Sequence, residues 1–233
     1  MPKTTGPSDK QNKATPAEAK SHCIIAAMCD GLKPVKTRKP AHKYMTSWLV
    51  ASLIVVALMV AVMGLRYDAM NKLHESIFII KSVVLLFLAA ICAYSGFRLG
   101  IPDCPTKHRF WAAICFGALA FWFISLCHSL VHISLEALMY EATHPAHGGC
   151  AALILATSGA AGALMYTMLH DAFPVRPMVT GLATALAATT LGFVGASYFC
   201  YVDAGAHMIL FHLVPVLLLT AVFSLIVRKL IKR

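Results

Sequence analysis

Thiols and imidazoles are the groups through which this sequence can do chemistry. Eight cysteines and eleven histidines stand beside only ten acidic residues, the nearest paired acids being Glu136 and Glu141, so paired-carboxylate catalysis is not expected. Imidazole nitrogen and thiolate sulfur ligate zinc, copper(I) and related soft ions. One group is Cys127, His128 and His132, whose two histidines are four apart and share a face if a helix runs through them. A second, HPAHGGC, sets His144, His147 and Cys150 at steps of three. Cys200 and His207 come later, and His212 lies inside a long apolar run. No pair matches a closed zinc-finger pattern, and histidines solvated in a short loop account for the same spacing. His212 reads either as functional or as a buried hydrogen-bonding group between helices. No nucleophile elbow, phosphate loop, zincin motif or haem-attachment motif occurs. The chain is therefore read as a non-enzyme with no catalytic residues, and any cofactor is at most a transiently bound soft metal ion.

The elements that must position these groups are apolar helices. The chain of 233 residues is 59% hydrophobic and 13% charged, about half the charge a soluble domain needs to cover its surface. Runs of ~20 apolar residues predict six membrane spans: Met45–Leu65, Ile77–Phe97, Phe110–Cys127, Cys150–Leu169, Met178–Tyr201 and His207–Val227. The fold class is an all-α membrane protein with a cytoplasmic N-terminal tail. Residues 1–21 are polar and expected to be disordered, 22–44 form a separate cytoplasmic segment, and 45–233 form the transmembrane domain. The first apolar run begins too late and is too long for a secretory signal.

Charge placement orients the spans. Nine of the 20 Lys and Arg lie between Lys3 and Lys43, and four close the chain at Arg228, Lys229, Lys232 and Arg233. Arg98–Arg109 adds three, whereas the loops His128–Gly149 and Val202–Ala206 hold none. By the positive-inside rule both termini are cytoplasmic. Basic ends flanking apolar spans do not indicate a nucleic-acid partner; membrane lipid is the expected surroundings.

This topology sorts the thiols. Cys23, Cys29 and Cys104 fall in the reducing cytoplasm, and Cys92 and Cys115 read as packing residues inside spans. Cys127, Cys150 and Cys200 fall at the outer ends of the third, fourth and fifth spans. Cys150 lies 24 residues before Pro174 and Cys200 lies 26 after it. In an antiparallel pair rising ~1.5 Å per residue the two reach nearly the same height. Ser158, Gly159, Gly162, Gly181, Gly192 and Ala196 let those spans pack closely. A structural disulfide, a reactive or metal-binding sensor pair, and unpaired packing all remain open for Cys150 and Cys200.

One tail segment differs from its surroundings. In HCIIAAMCDGLKPVKTRKP, the residues Ile24, Ile25, Met28 and Leu32 fall at helical spacing, with Gly31 and Pro34 as stops. A lone apolar stripe this short suits a groove on a soluble partner. Binding to the inner leaflet, aided by the basic run from Lys33 to Lys43, is the competing use.

From Ile24 to the C-terminus the chain resembles the NrsF family of six-span inner-membrane anti-sigma factors. The resemblance is carried by LKPVKTRKPAHKYMTSWL, GLRYD at the end of the first span, GGC heading the fourth, YFCYVD closing the fifth and LFHLVPVLL in the sixth. It implies that the N-terminal segment holds an extracytoplasmic-function sigma factor at the membrane. It also implies that Cys150 and Cys200 sense heavy metals or oxidants. The polar head before Ser21 and the His-rich third loop depart from the family pattern, and the latter favours metal. A membrane thiol oxidoreductase and a small metal transporter are the alternative readings. No CxxC serves the first, and His212 with Cys115 offers little to the second.

Overall fold

A computed structural model describes residues 39–100, 108–143, 148–170, 174 and 176–231. The tail stripe Ile24, Ile25, Met28 and Leu32 lies outside these residues, as do His144 and His147.

Among the described residues six helices are long and apolar enough to cross a membrane. They are α1 (Ala41–Met63), α3 (Ser76–Leu99), α4 (His108–Val131), α6 (Gly148–Leu169), α7 (Pro177–Phe199) and a composite sixth. The sixth joins α8 (Gly205–Met208), a π turn (Ile209–Leu213) and α9 (Val214–Ile231). Short helices α2 (Ala69–Lys72) and α5 (Leu135–Ala142) fill the first and third loops. In hydrocarbon every backbone group must be satisfied within the segment, which is why apolar runs of this length become helices. Large side chains such as Val62, Ile77, Phe87, Ile124 and Leu218 point outward, where lipid accepts them at no cost.

At the centre of the bundle stands α7, with 83% of its apolar window buried against 17% for α1. Its composition explains the place: Gly, Ala and Thr leave a thin helix that neighbours can approach. A methyl at Gly192 would lie 3.0 Å from the Ile154 carbonyl of α6, and one at Gly181 would lie 2.7 Å from the Ser224 carbonyl of α9. Polar groups in this dry region are mostly paired. Trp48 donates to the Ala161 carbonyl at 2.8 Å, Trp122 to Thr190 at 3.2 Å, and Thr189 meets Thr220 at 2.8 Å. These bonds tie α1 to α6, α4 to α7, and α7 to α9.

The third helix continues to Val131, so Cys127 lies within it and is exposed on its outer surface. The first, third and fifth loops meet at one end of the bundle. There the Arg66 amide donates to the Tyr198 carbonyl at 3.1 Å, and His207 pairs with Glu141 at 2.8 Å.

Candidate metal and thiol site at one end of the bundle

Cys150 occupies the first turn of α6, and Cys200 caps α7, its amide donating to the Ala196 carbonyl at 2.8 Å. Both are free thiols and both are buried. The composite sixth helix adds His207 from α8 and His212 from the π turn. The sulfur of each cysteine and one ring nitrogen of each histidine all lie within 4.8 Å of one another.

The two imidazoles are held differently. Nδ1 of His207 is 2.8 Å from Glu141 Oε1, and Nε2 is 3.2 Å from Cys200 Sγ. An ionised carboxylate only accepts, so His207 donates from Nδ1 and turns Nε2 toward the thiol. Glu141 is delivered by α5, whose start is capped by the Ser134 hydroxyl accepting from the Ala137 amide at 3.3 Å. His212 is fully buried between Phe193 and His207, with ring centroids 5.6 and 5.5 Å away. Neither of its ring nitrogens makes a hydrogen bond of good geometry among the described residues. Leaving such a group unsatisfied costs about 1–3 kcal/mol.

A local backbone feature aligns these histidines. Residues five apart on an α-helix, at ~100° per residue, end ~140° apart around the axis. The π turn closes with the Val214 amide donating to the Ile209 carbonyl, an i to i+5 bond that widens the turn and brings such residues toward one face. Pro215, the next residue, has no amide hydrogen to give to Phe211, so the regular ladder is already broken where the bulge sits.

An ionic cluster covers the rim beside the site. Arg66 grips Asp68 through two hydrogen bonds and reaches Asp203 at 3.3 Å, while Lys72 bridges Glu75 at 3.0 Å and Asp203 at 3.2 Å. The hydrogen bond from Arg66 holds the Asp68 carboxyl below its ordinary range. Burial acts upward on Asp203, but hydrogen bonds from Arg66 and Lys72 leave it lowered as well. Glu75 and then Asp203 raise Lys72 in return. The cluster ties the first loop to the fifth, which carries Cys200 at its start. A cavity of about 600 Å³ opens beneath this rim, and Lys81, Trp122, Phe193, Cys200 and His212 are among its walls. Two of the four converging side chains thus border this cavity.

Among the residues singled out in the sequence, Cys150, Cys200, His207 and His212 are brought together. His128 on α4 and His132 just beyond its end lie side by side, with ring centroids 4.8 Å apart, but they are exposed and stand outside the group, as does Cys127. Glu141 and the Arg66 cluster were not singled out for this site. Chemically the group can do two things: it can oxidise to a disulfide after a short approach of the sulfurs, or it can donate two sulfurs and two nitrogens to an ion.

The family model described as negative regulator of sigma F, NrsF, matches residues 28–232. No curated protein and no solved structure matches the chain.

Proposed function

Since the chain belongs to the NrsF family of negative regulators of sigma F, we propose that it is an inner-membrane anti-sigma factor switched by Cys150 and Cys200 at its outer face. In this reading residues 22–44 hold an extracytoplasmic-function sigma factor through Ile24, Ile25, Met28 and Leu32. Both termini are cytoplasmic, as the basic tail and basic C-terminus favour. Heavy metal or oxidant then acts on the thiols at the far side of the membrane, and the sigma factor is released.

The observation that carries the reading is the meeting of two free, buried thiols where the fourth and fifth spans end. These spans pack through small residues, so a change at their ends must be taken up by the interface between them. Release follows only if the reacted thiols favour a packing with lower affinity for the sigma factor.

The experiment uses the whole chain in native membranes. The double substitution Ile25→Asp and Met28→Asp is expected to abolish co-purification of the sigma factor, because a charge entering an apolar groove is strongly penalised. Membrane abundance should be unchanged. Full retention of the sigma factor by the double variant would rule out this face.

A further inference from the structure

We propose that Cys150, Cys200, His207 and His212 form a four-ligand site for one thiophilic divalent cation of the zinc and cadmium kind, with Glu141 as its positioning residue. This deepens the sensor reading and rests on it for its biological role, though not for its chemistry.

Four features point to a cation. The first is donor type and number: two sulfurs and two nitrogens are the complement of a closed tetrahedral zinc site. The second is proximity. A tetrahedral shell with ~2.3 Å bonds to sulfur and ~2.0 Å bonds to nitrogen has edges of roughly 3.3–3.8 Å. The Cys200–His207 edge is already 3.2 Å, and every edge is within 4.8 Å, so the group closes on an ion by a small contraction. The third is His212, fully buried with both nitrogens lacking a well-formed hydrogen bond; a bound cation would satisfy one of them. The fourth is the Glu141–His207 contact at 2.8 Å. A carboxylate on the distal nitrogen of an imidazole fixes its tautomer and raises its basicity, the usual support for a metal-bound histidine.

Charge balance fits the location. A divalent cation displaces one proton from each thiol, and both protons leave to solvent. The resulting centre has two thiolates, two neutral imidazoles and no net charge, so it can be buried without the penalty of an isolated ion. The cavity walled by Cys200 and His212 gives the ion its way in. Binding also clamps α6, α7 and the sixth helix at one point, which couples the site to the packing of the bundle.

The test uses the full-length protein in lipid nanodiscs, reduced and stripped with a chelator, and then loaded with Zn²⁺ alone. X-ray absorption is expected to give a first shell of two sulfurs and two nitrogens. Competition against a chromophoric chelator should give one ion per chain. His212→Phe keeps an aromatic ring against Phe193, and it should weaken zinc by more than the roughly tenfold to hundredfold expected when an outer-shell partner is lost. Glu141→Gln should fall within that tenfold to hundredfold range, with the melting temperature of the metal-free protein unchanged. A shell lacking histidine nitrogen, or wild-type affinity in His212→Phe, would overturn the site. Unchanged affinity in Glu141→Gln would overturn the role of that residue. The sensor reading fails separately: zinc held by all four ligands, with the sigma factor still bound, leaves this site standing and removes its role as a trigger.

Discussion

Two pairs of thiols lie buried in this bundle, and they differ in what surrounds them. Cys92 on α3 and Cys115 on α4 are fully shielded, and Cys150 and Cys200 at the bundle end are buried as well. Cys92 and Cys115 belong to the apolar core, and among the described residues neither is part of a group of three or more possible ligands. Around Cys150 and Cys200 stand two imidazoles and, one step out, a carboxylate. Burial is therefore not the mark of a functional cysteine in this chain. In the proposed switch what sets Cys150 and Cys200 apart is burial beside imidazoles and a carboxylate, groups that are costly to bury and suit a reacted or metal-bound sulfur.

The sharpest way to break this contrast is to remove sulfur from each pair in turn. In cells carrying a reporter of sigma activity, Cys150→Ser and Cys200→Ser should each hold output at the uninduced level when cadmium or chromate is added. Cys92→Ala and Cys115→Ala should respond like the wild type. Induction that survives in both serine variants, or is lost in both alanine variants, would erase the distinction between the pairs.

A smaller effect concerns the α6–α7 packing through which the proposed switch would act. Gly192→Ala pushes a methyl against the Ile154 carbonyl and the Ser158 hydroxyl at the α6–α7 contact. It should cost about 1–3 kcal/mol, the usual penalty of overpacking. Gly117→Ala on α4 meets nothing within 4 Å, and should stay within about 1 kcal/mol of wild type, toward higher stability. Thermal unfolding in detergent separates the two, and equal melting temperatures would deny α6–α7 its tight contact.

The smallest effect is the pH response of the rim. Asp68 and Asp203 are both lowered by their cationic partners, so their contribution is fully present above the unfolded carboxylate value of ~3.9. It is lost as pH falls through the still lower folded values. The melting-temperature difference between wild type and Asp203→Asn should hold from pH 8 to 5 and shrink below about pH 4. Asp203→Asn should shift stability by only ~0–1 kcal/mol at neutral pH, since the pair faces water, and should flatten the acid limb. An identical acid limb in that variant would remove Asp203 from the clamp.

The helices could be read from the sequence because hydrocarbon leaves the backbone few alternatives. The shared height of Cys150 and Cys200 could be read too, since counting from Pro174 needs only a helical rise. What could not be read was the alignment of His207 with His212. Helical periodicity puts residues five apart on different faces, and only Pro215 hinted that the ladder breaks there. Glu141 was hidden in what read as a loop, although Ser134 ahead of Leu135 and Glu136 is the cap of a short helix. His128 and His132 have the spacing of a ligand pair, but both are exposed, and spacing along the chain says nothing about which way the residues face. Arg66 and Lys72 served only as topological markers, because their acid partner Asp203 is remote in sequence.

The most direct test of the central claim needs the regulator, its sigma factor and a bilayer. The complex is reconstituted in nanodiscs with thiols reduced, Cd²⁺ is added, and sigma factor remaining on the disc is measured over time. Wild type should lose the sigma factor on adding Cd²⁺ and regain it when a chelator removes the ion, whereas Cys150→Ser and Cys200→Ser should keep it throughout. Loss of the sigma factor from the serine variants at the wild-type rate, or its retention by cadmium-loaded wild type, would contradict a switch at these two sulfurs.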